Sequence, residues 1–145
     1  MTPQERAARS AAAMWADDRA SQALGMEIVE IGPGRAVLTM TLREDMANGH
    51  GIAHGGFIFT LADSAFAFAC NSYNTVVVAQ HNSITYLTPG RVGERLTATA
   101  TEAHRAGRSG LYDVVVTGED GRKVALFRGA SRQINGTHFD ENAPG

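Results

Sequence analysis

The stretch HGGFIFTLADSAFAFAC, residues 54–70, contains a single charged side chain, Asp63, in a run otherwise dominated by alanine, phenylalanine, leucine and isoleucine. From Gly55 to about Asn71 the pattern is apolar around the whole circumference, which describes a helix buried on every side rather than an amphipathic surface helix. Aspartate is a poor residue for a helix interior, and a buried carboxylate without partners costs several kcal/mol or becomes neutral. Two readings of Asp63 are open from the residues alone. It lies on a polar stripe shared with Thr60, Ser64 and Asn71, or it is a nucleophile or general base whose reactivity is tuned by partial burial.

Outward from this helix the chain alternates between strand patterns and turn residues. Residues 3 to about 24 predict an amphipathic helix, opened by Pro3, rich in alanine and stopped by Gly25. Strands follow at about 26–31 and 35–42, paired as a hairpin about Gly32-Pro33-Gly34. The segment REDMANGHGIAHGG has no periodicity and is longer than a simple connection requires, so it reads as a functional loop. Beyond the central helix, TVVVAQHNSITYLTP, RLTATATEAH, GLYDVVVTGED and KVALFRGASRQI predict four more strands, mostly hairpin-linked, separated by Pro89-Gly90, Gly107–Gly110 and Asp120-Gly121. The tail from Asn135 to Gly145 is polar and is expected to fray. The result is one α+β domain over residues 1–145 in which an antiparallel sheet wraps a central helix. One sheet face cannot cover a helix on all sides, so the pattern predicts that two copies of the chain pack together.

Composition narrows the functional classes. With 43% hydrophobic and 19% charged residues and a formal net charge of −2, the 145-residue chain has the balance of a globular domain and no bulk basicity for nucleic acid or anionic membranes. No apolar run approaches the roughly 18 residues that span a bilayer, and the start lacks a signal-peptide core. One cysteine, Cys70, fits a reducing compartment, and a cytoplasmic location is expected.

His54-Gly55-Gly56 marks the helix entrance, where glycines let backbone N–H groups approach a ligand and the first turn offers unpaired donors at the positive end of the helix dipole. That is an oxyanion site, unless the turn is only a flexible lead-in with His54 as its cap. Gly55 and Asp63 are eight positions apart, about 12 Å along a helix axis. Asp63 therefore cannot attack a carbonyl held at its own Gly55, since reacting atoms must come within about 3–3.5 Å. Antiparallel packing of two such helices would bring Asp63 of one copy to Gly55 of the other. A metal held by His50, His54 and Asp63 fits poorly in a glycine-rich loop without a third ligand at a recognisable spacing, and an alanine-flanked Cys70 reads as a small hydrophobe. Tyr86, Trp15 and the phenylalanines read as core or pocket wall. Asn48 is suited to a turn or to holding a water.

MANGHGIAHGGFIFTLADSAFAFACNS, followed by HNSITYLTPGRVGERLTATATEAHRAGRSGLYDVVVTGEDGRKVALFRGASRQI, resembles the hotdog-fold acyl-CoA thioesterases, and within them the phenylacetic-acid-degradation branch of phenylacetyl-CoA thioesterases. The likeness spans about residues 20–135 and rests on HGG, the acid of LAD eight residues after its first glycine, ACNS and the TPG turn. It implies a long central helix wrapped by an antiparallel sheet, a dimer with a continuous sheet and shared sites, and pairing of dimers into tetramers. It also implies hydrolysis of a small or aromatic acyl-CoA without metal or cofactor, coenzyme A being part of the substrate. By position, Gly55 donates its N–H to the thioester carbonyl and Asp63 of the opposite subunit is nucleophile or base. Asn48 places the thioester or water, and His54 shapes the loop. Some related aromatic acyl-CoA thioesterases carry a threonine one turn after the acid, where this chain has Ala67. Coenzyme A brings phosphates, for which Arg91, Arg105, Arg108 and Ser109, all near strand ends, are the candidates, against a plainer reading as solvated turn residues. A hotdog enoyl-CoA hydratase and a non-catalytic acyl-CoA-binding protein are the alternatives.

Overall fold

A computed structural model of the chain describes residues 1–143. Its elements are α1 (Pro3–Asp17), α2 (Arg19–Ala23), β1 (Glu27–Gly32), β2 (Arg35–Thr41), α3 (Gly55–Cys70), β3 (Val77–Tyr86), β4 (Arg95–Ala106), β5 (Ser109–Thr117) and β6 (Lys123–Gln133). The strands form one antiparallel six-stranded sheet in the order β1-β2-β4-β5-β6-β3, so β3 leaves its sequence neighbour β4 and closes the far edge. This is the α+β hotdog arrangement expected, with α3 lying in the sheet's concave face.

The register explains why α3 fits. Ala36, Ala100, Val114, Phe127 and Ile84 are consecutive cross-strand partners over β2, β4, β5, β6 and β3, and form one inward row. Strand side chains alternate between faces, so a row of small and then larger residues curves the apolar floor around the helix. Leu61, Ala62, Ala65, Phe66, Phe68 and Ala69 of α3 are buried on that floor. Gly129 of β6 is required by this close approach, because a Cβ there would lie 2.7 Å from the Phe66 ring.

Two expectations are corrected. The N-terminal helix does not run unbroken from 3 to 24: Asp18 leaves helical geometry (φ −84°, ψ 80°) and its carboxylate accepts from Ser21 N at 3.0 Å and Ser21 Oγ at 2.7 Å, capping α2 as a separate turn. Short acidic side chains compete for backbone N–H groups in this way and favour caps over helix interiors. Nor does the described part of the tail hang free. Asn74, in the left-handed region at φ 59°, receives the N–H groups of His138 and Phe139 and donates to the Phe139 carbonyl and to Glu141. Glu141 then pairs with Arg6 at 2.8 Å and the Phe139 ring lies under the Arg9 guanidinium, tying the tail to α1. The last two positions of the expected tail, 144 and 145, lie outside the described residues. In keeping with the expectation that one sheet face cannot enclose the helix, α3 is not covered on every side within one chain: Gly56, Phe59, Thr60, Asp63 and Ala67 lie on a partly open stripe.

Candidate active site

The first turn of α3 is built by the loop before it. His54 is the N-cap, in the extended region at φ −63° and ψ 131°, with its own N–H donated to the Met46 carbonyl at 2.8 Å. Its Nδ1 accepts from Gly56 N at 3.0 Å and its carbonyl from Phe57 N at 3.1 Å. With Nδ1 occupied as an acceptor, neutral His54 carries its proton on Nε2. The cap satisfies its neighbours and leaves the Gly55 N–H without a hydrogen bond among the described residues. Gly55 thus presents a free donor at the positive end of a 16-residue helix. His54 is both the cap and the residue that reserves this donor.

Tyr86, at the end of β3, lies over the same glycine. Its hydroxyl donates to the Gly55 carbonyl at 2.9 Å, and a Cβ added to Gly55 would lie 3.0 Å from the ring. Beside it opens a largely apolar cleft of about 340 Å³, walled by Ile52, Ile58, Tyr86, Leu87 and Pro89 with Gly55 at its edge. Asn48 closes the loop below. Its Oδ1 accepts from His50 N at 2.9 Å and Ile52 N at 3.4 Å, while its Nδ2 makes no hydrogen bond among the described residues. The asparagine therefore forms the turn and keeps a donor to spare.

Asp63 is two turns further along α3, half-buried on the open stripe, and forms no ion pair among the described residues. Burial pushes its carboxyl above the usual carboxylate range, and a hydrogen bond from Asn82 Nδ2 at 3.3 Å pulls the other way. Ser64 and Asn71 do not share the stripe as expected. Ser64 Oγ meets Ser21 Oγ of α2 at 2.8 Å, and the buried Asn71 side chain holds the backbone of Val77 through both its atoms. Thr60 is on the stripe, but its hydroxyl donates back to the Gly56 carbonyl at 2.8 Å. Ala67, one turn after the acid, offers no hydroxyl.

The structure thus gathers Asn48, His54 and Gly55 at the head of α3, with Arg91 joined to them through its bridge to Ile52. Arg105, Arg108 and Ser109 are at the β4–β5 hairpin beside the other end of α3, about 24 Å away along a 16-residue helix. Arg91, Arg108 and Ser109 are exposed, while the Arg105 guanidinium stacks 3.6 Å from the Tyr73 ring. His50 is exposed in the loop, and no three His, Cys, Asp or Glu side chains gather in a metal-binding group among the described residues. Burial pushes the Cys70 thiol up to about 12, removing it as a nucleophile near neutral pH. Asn82 was not singled out by sequence reasoning. The available signal was an amide two positions before Ile84, on the inward phase of a strand.

Residues 50–125 match the model of the thioesterase superfamily. The acyl-coenzyme A thioesterase PaaI of Escherichia coli K12 is 45% identical over 132 residues, which cover 91% of this chain and 94% of that protein. The structure of the E. coli PaaI protein from the phenylacetic acid degradation operon superposes with a TM-score of 0.92 at 43% identity, covering 94% of this chain and 99% of that one. A hypothetical thioesterase protein of Streptococcus pneumoniae solved with coenzyme A superposes with a TM-score of 0.74 at 28% identity, covering 77% of this chain and 90% of the other.

Proposed function

The chain belongs to the thioesterase superfamily, and from that premise we propose that it hydrolyses the thioester of a small or aromatic acyl-coenzyme A, of phenylacetyl-CoA type, to the free acid and coenzyme A. The observation that carries this reading is the pairing of a reserved backbone donor, the Gly55 N–H, with a lone half-buried carboxylate, Asp63, on the uncovered stripe of the same helix. A thioester needs both functions: a donor for the oxygen that becomes an oxyanion, and a base or nucleophile for the carbonyl carbon.

The two groups serve one reaction only across two copies of the chain. In a homodimer with antiparallel α3 helices, the thioester carbonyl sits on Gly55 of one subunit and the carboxylate comes from the other, giving two shared sites. Edge strand β3 supports this assembly. It exposes Val78 (43%) and Tyr86 (48%) on an unpaired edge, followed by Leu87 (47%), a surface that soluble proteins normally cover. Antiparallel packing also brings Arg91 of one subunit to the same mouth as Arg105, Arg108 and Ser109 of the other, where they meet the phosphates of coenzyme A. Two dimers pair into a tetramer. The reaction uses no cofactor, and the buried free Cys70 suits a reducing, cytoplasmic setting.

As general base, Asp63 takes a proton from water, the hydroxide adds to the carbonyl carbon, and collapse of the Gly55-bound oxyanion expels the thiolate, which is protonated to coenzyme A. As nucleophile, the carboxylate adds to the carbonyl carbon, the C–S bond breaks to expel the thiolate, which is protonated to coenzyme A, and water then opens the resulting mixed anhydride to the free acid and the Asp63 carboxylate. Asn48 Nδ2 supplies a second polar contact for the thioester or water, and the apolar cleft against Tyr86 takes the acyl group. A screen of thiol release over a panel of acyl-CoAs including phenylacetyl-CoA tests the function. Hydrolysis of none, or hydration of an enoyl-CoA instead, overturns it. Single turnover in H₂¹⁸O separates the routes, since label entering the Asp63 carboxylate requires the anhydride.

A further inference from the structure

Asn82 occupies an unfavourable place for an amide. On β3 it faces inward with Ile84, and its cross-strand partner on β6 is Gly129, over which the Phe66 ring is packed. Its Nδ2 reaches Asp63 Oδ1 at 3.3 Å, whereas its Oδ1 is buried and has no hydrogen-bond partner among the described residues. An unsatisfied buried acceptor works against folding, and an apolar side chain of the same size would avoid that cost. Among the described residues the one polar contact of the amide is the carboxylate on which hydrolysis depends.

We propose that Asn82 is a positioning residue: its Nδ2–H holds Asp63 with one oxygen engaged, leaving the other turned into the site and the carboxylate ionised. This inference rests on the role given to Asp63 above. A donor to a carboxylate favours the charged form, and here it opposes the effect of burial on the same group. No charged side chain of α2, β2, β4, β5 or β6 bears on Asp63. His81, the residue before Asn82 on β3, is exposed, and Cys70 on α3 itself is the titratable neighbour that the Asp63 charge reaches. Asn82 is therefore the group within the chain that sets the acid limb of the reaction.

The test is the pH dependence of kcat/KM for the full-length enzyme with the acyl-CoA it hydrolyses best, comparing wild type with Asn82→Leu, Asn82→Ala and Asn82→Ser. The leucine and alanine variants are expected to move the acid limb up by about one pH unit, a roughly tenfold loss below the limb that is recovered towards alkaline pH. Serine, which keeps a donor, is expected to return part of the shift. Asn82→Leu is also expected to hold or raise Tm. An unmoved limb in soluble, folded leucine or alanine variants overturns the proposal, as does a loss of folding in both, which would make Asn82 structural. Wild-type hydrolysis by Asp63→Asn would instead remove the role given to Asp63. An inactive Asp63→Asn with an unmoved limb in the Asn82 variants removes the role of Asn82 alone.

Discussion

In the role proposed for it, Asp63 is held in a state that favours reaction over folding. Its carboxyl is raised by burial, so its contribution to stability is fully present below the ordinary carboxylate pKa and is lost as pH rises through the raised value. At neutral pH the ionised group destabilises the fold. Asp63→Asn, which removes the charge and keeps an oxygen for Asn82, is therefore expected to raise Tm by a few degrees, on the order of 2–4 °C, while kcat falls by about 10²–10⁴. Thermal scans at pH 7 and pH 4 check the sign, since the gain must shrink at the lower pH; a lower Tm for the variant at pH 7 sinks the account. Gly55 offers an equally selective change. It is the first residue of α3, where proline is well tolerated, and His54 before it already has the extended geometry that precedes proline. Gly55→Pro deletes one N–H and little else, provided the half-exposed Tyr86 ring moves by a few tenths of an ångström. Turnover is expected to drop by about 10²–10³ with helix content unchanged, and a variant as active as wild type would exclude that N–H as the oxyanion donor.

At the scale of elements, legibility followed from how local the governing physics was. The six strands and α3 were legible because period-two and all-round apolar patterns, punctuated by Gly32-Pro33-Gly34, Pro89-Gly90 and Asp120-Gly121, are properties of neighbouring residues. Asn48, His54 and Gly55 were legible for the same reason, since one loop and one helix entrance hold them. Asp18 and Asn74 were not, because an Asx side chain that caps a helix or anchors a distant segment looks the same in sequence as one that only turns the chain. The Asn82 contact with Asp63 also escaped, as it joins residues 19 positions apart through a strand that crosses the sheet. The Asn74 anchor is testable in two steps. Asn74→Gly keeps the positive φ and loses the hydrogen bonds to residues 138–141, an expected cost of about 1–3 kcal/mol with faster proteolysis of the tail. Asn74→Ala adds left-handed strain of about 1 kcal/mol to that loss. Equal stability of all three chains in urea would show that the tail contributes nothing.

For the whole molecule, the unpaired β3 edge and the open stripe of α3 are two sides of one requirement. In the dimer proposed above, each protomer leaves uncovered the surfaces on which half of each site is carried, so assembly and catalysis are expected to rise and fall together. Replacing Val78 by Lys puts a charge on the exposed edge and is expected to shift the dimer towards monomer, with hydrolysis falling in proportion to dimer lost in analytical ultracentrifugation. Sharing is tested more directly by two individually impaired chains. A Gly55→Pro subunit retains Asp63, and an Asp63→Asn subunit retains the Gly55 donor. If each site takes its donor from one chain and its carboxylate from the other, a purified heterodimer of the two has one intact site and one doubly defective site. It is then expected to show about half the wild-type rate per dimer, although each homodimer is slowed by about 10²-fold or more. If donor and carboxylate belonged to one chain, both sites of the heterodimer would be damaged and it would be as slow as its parents. The separation of about 12 Å along α3 requires the first result.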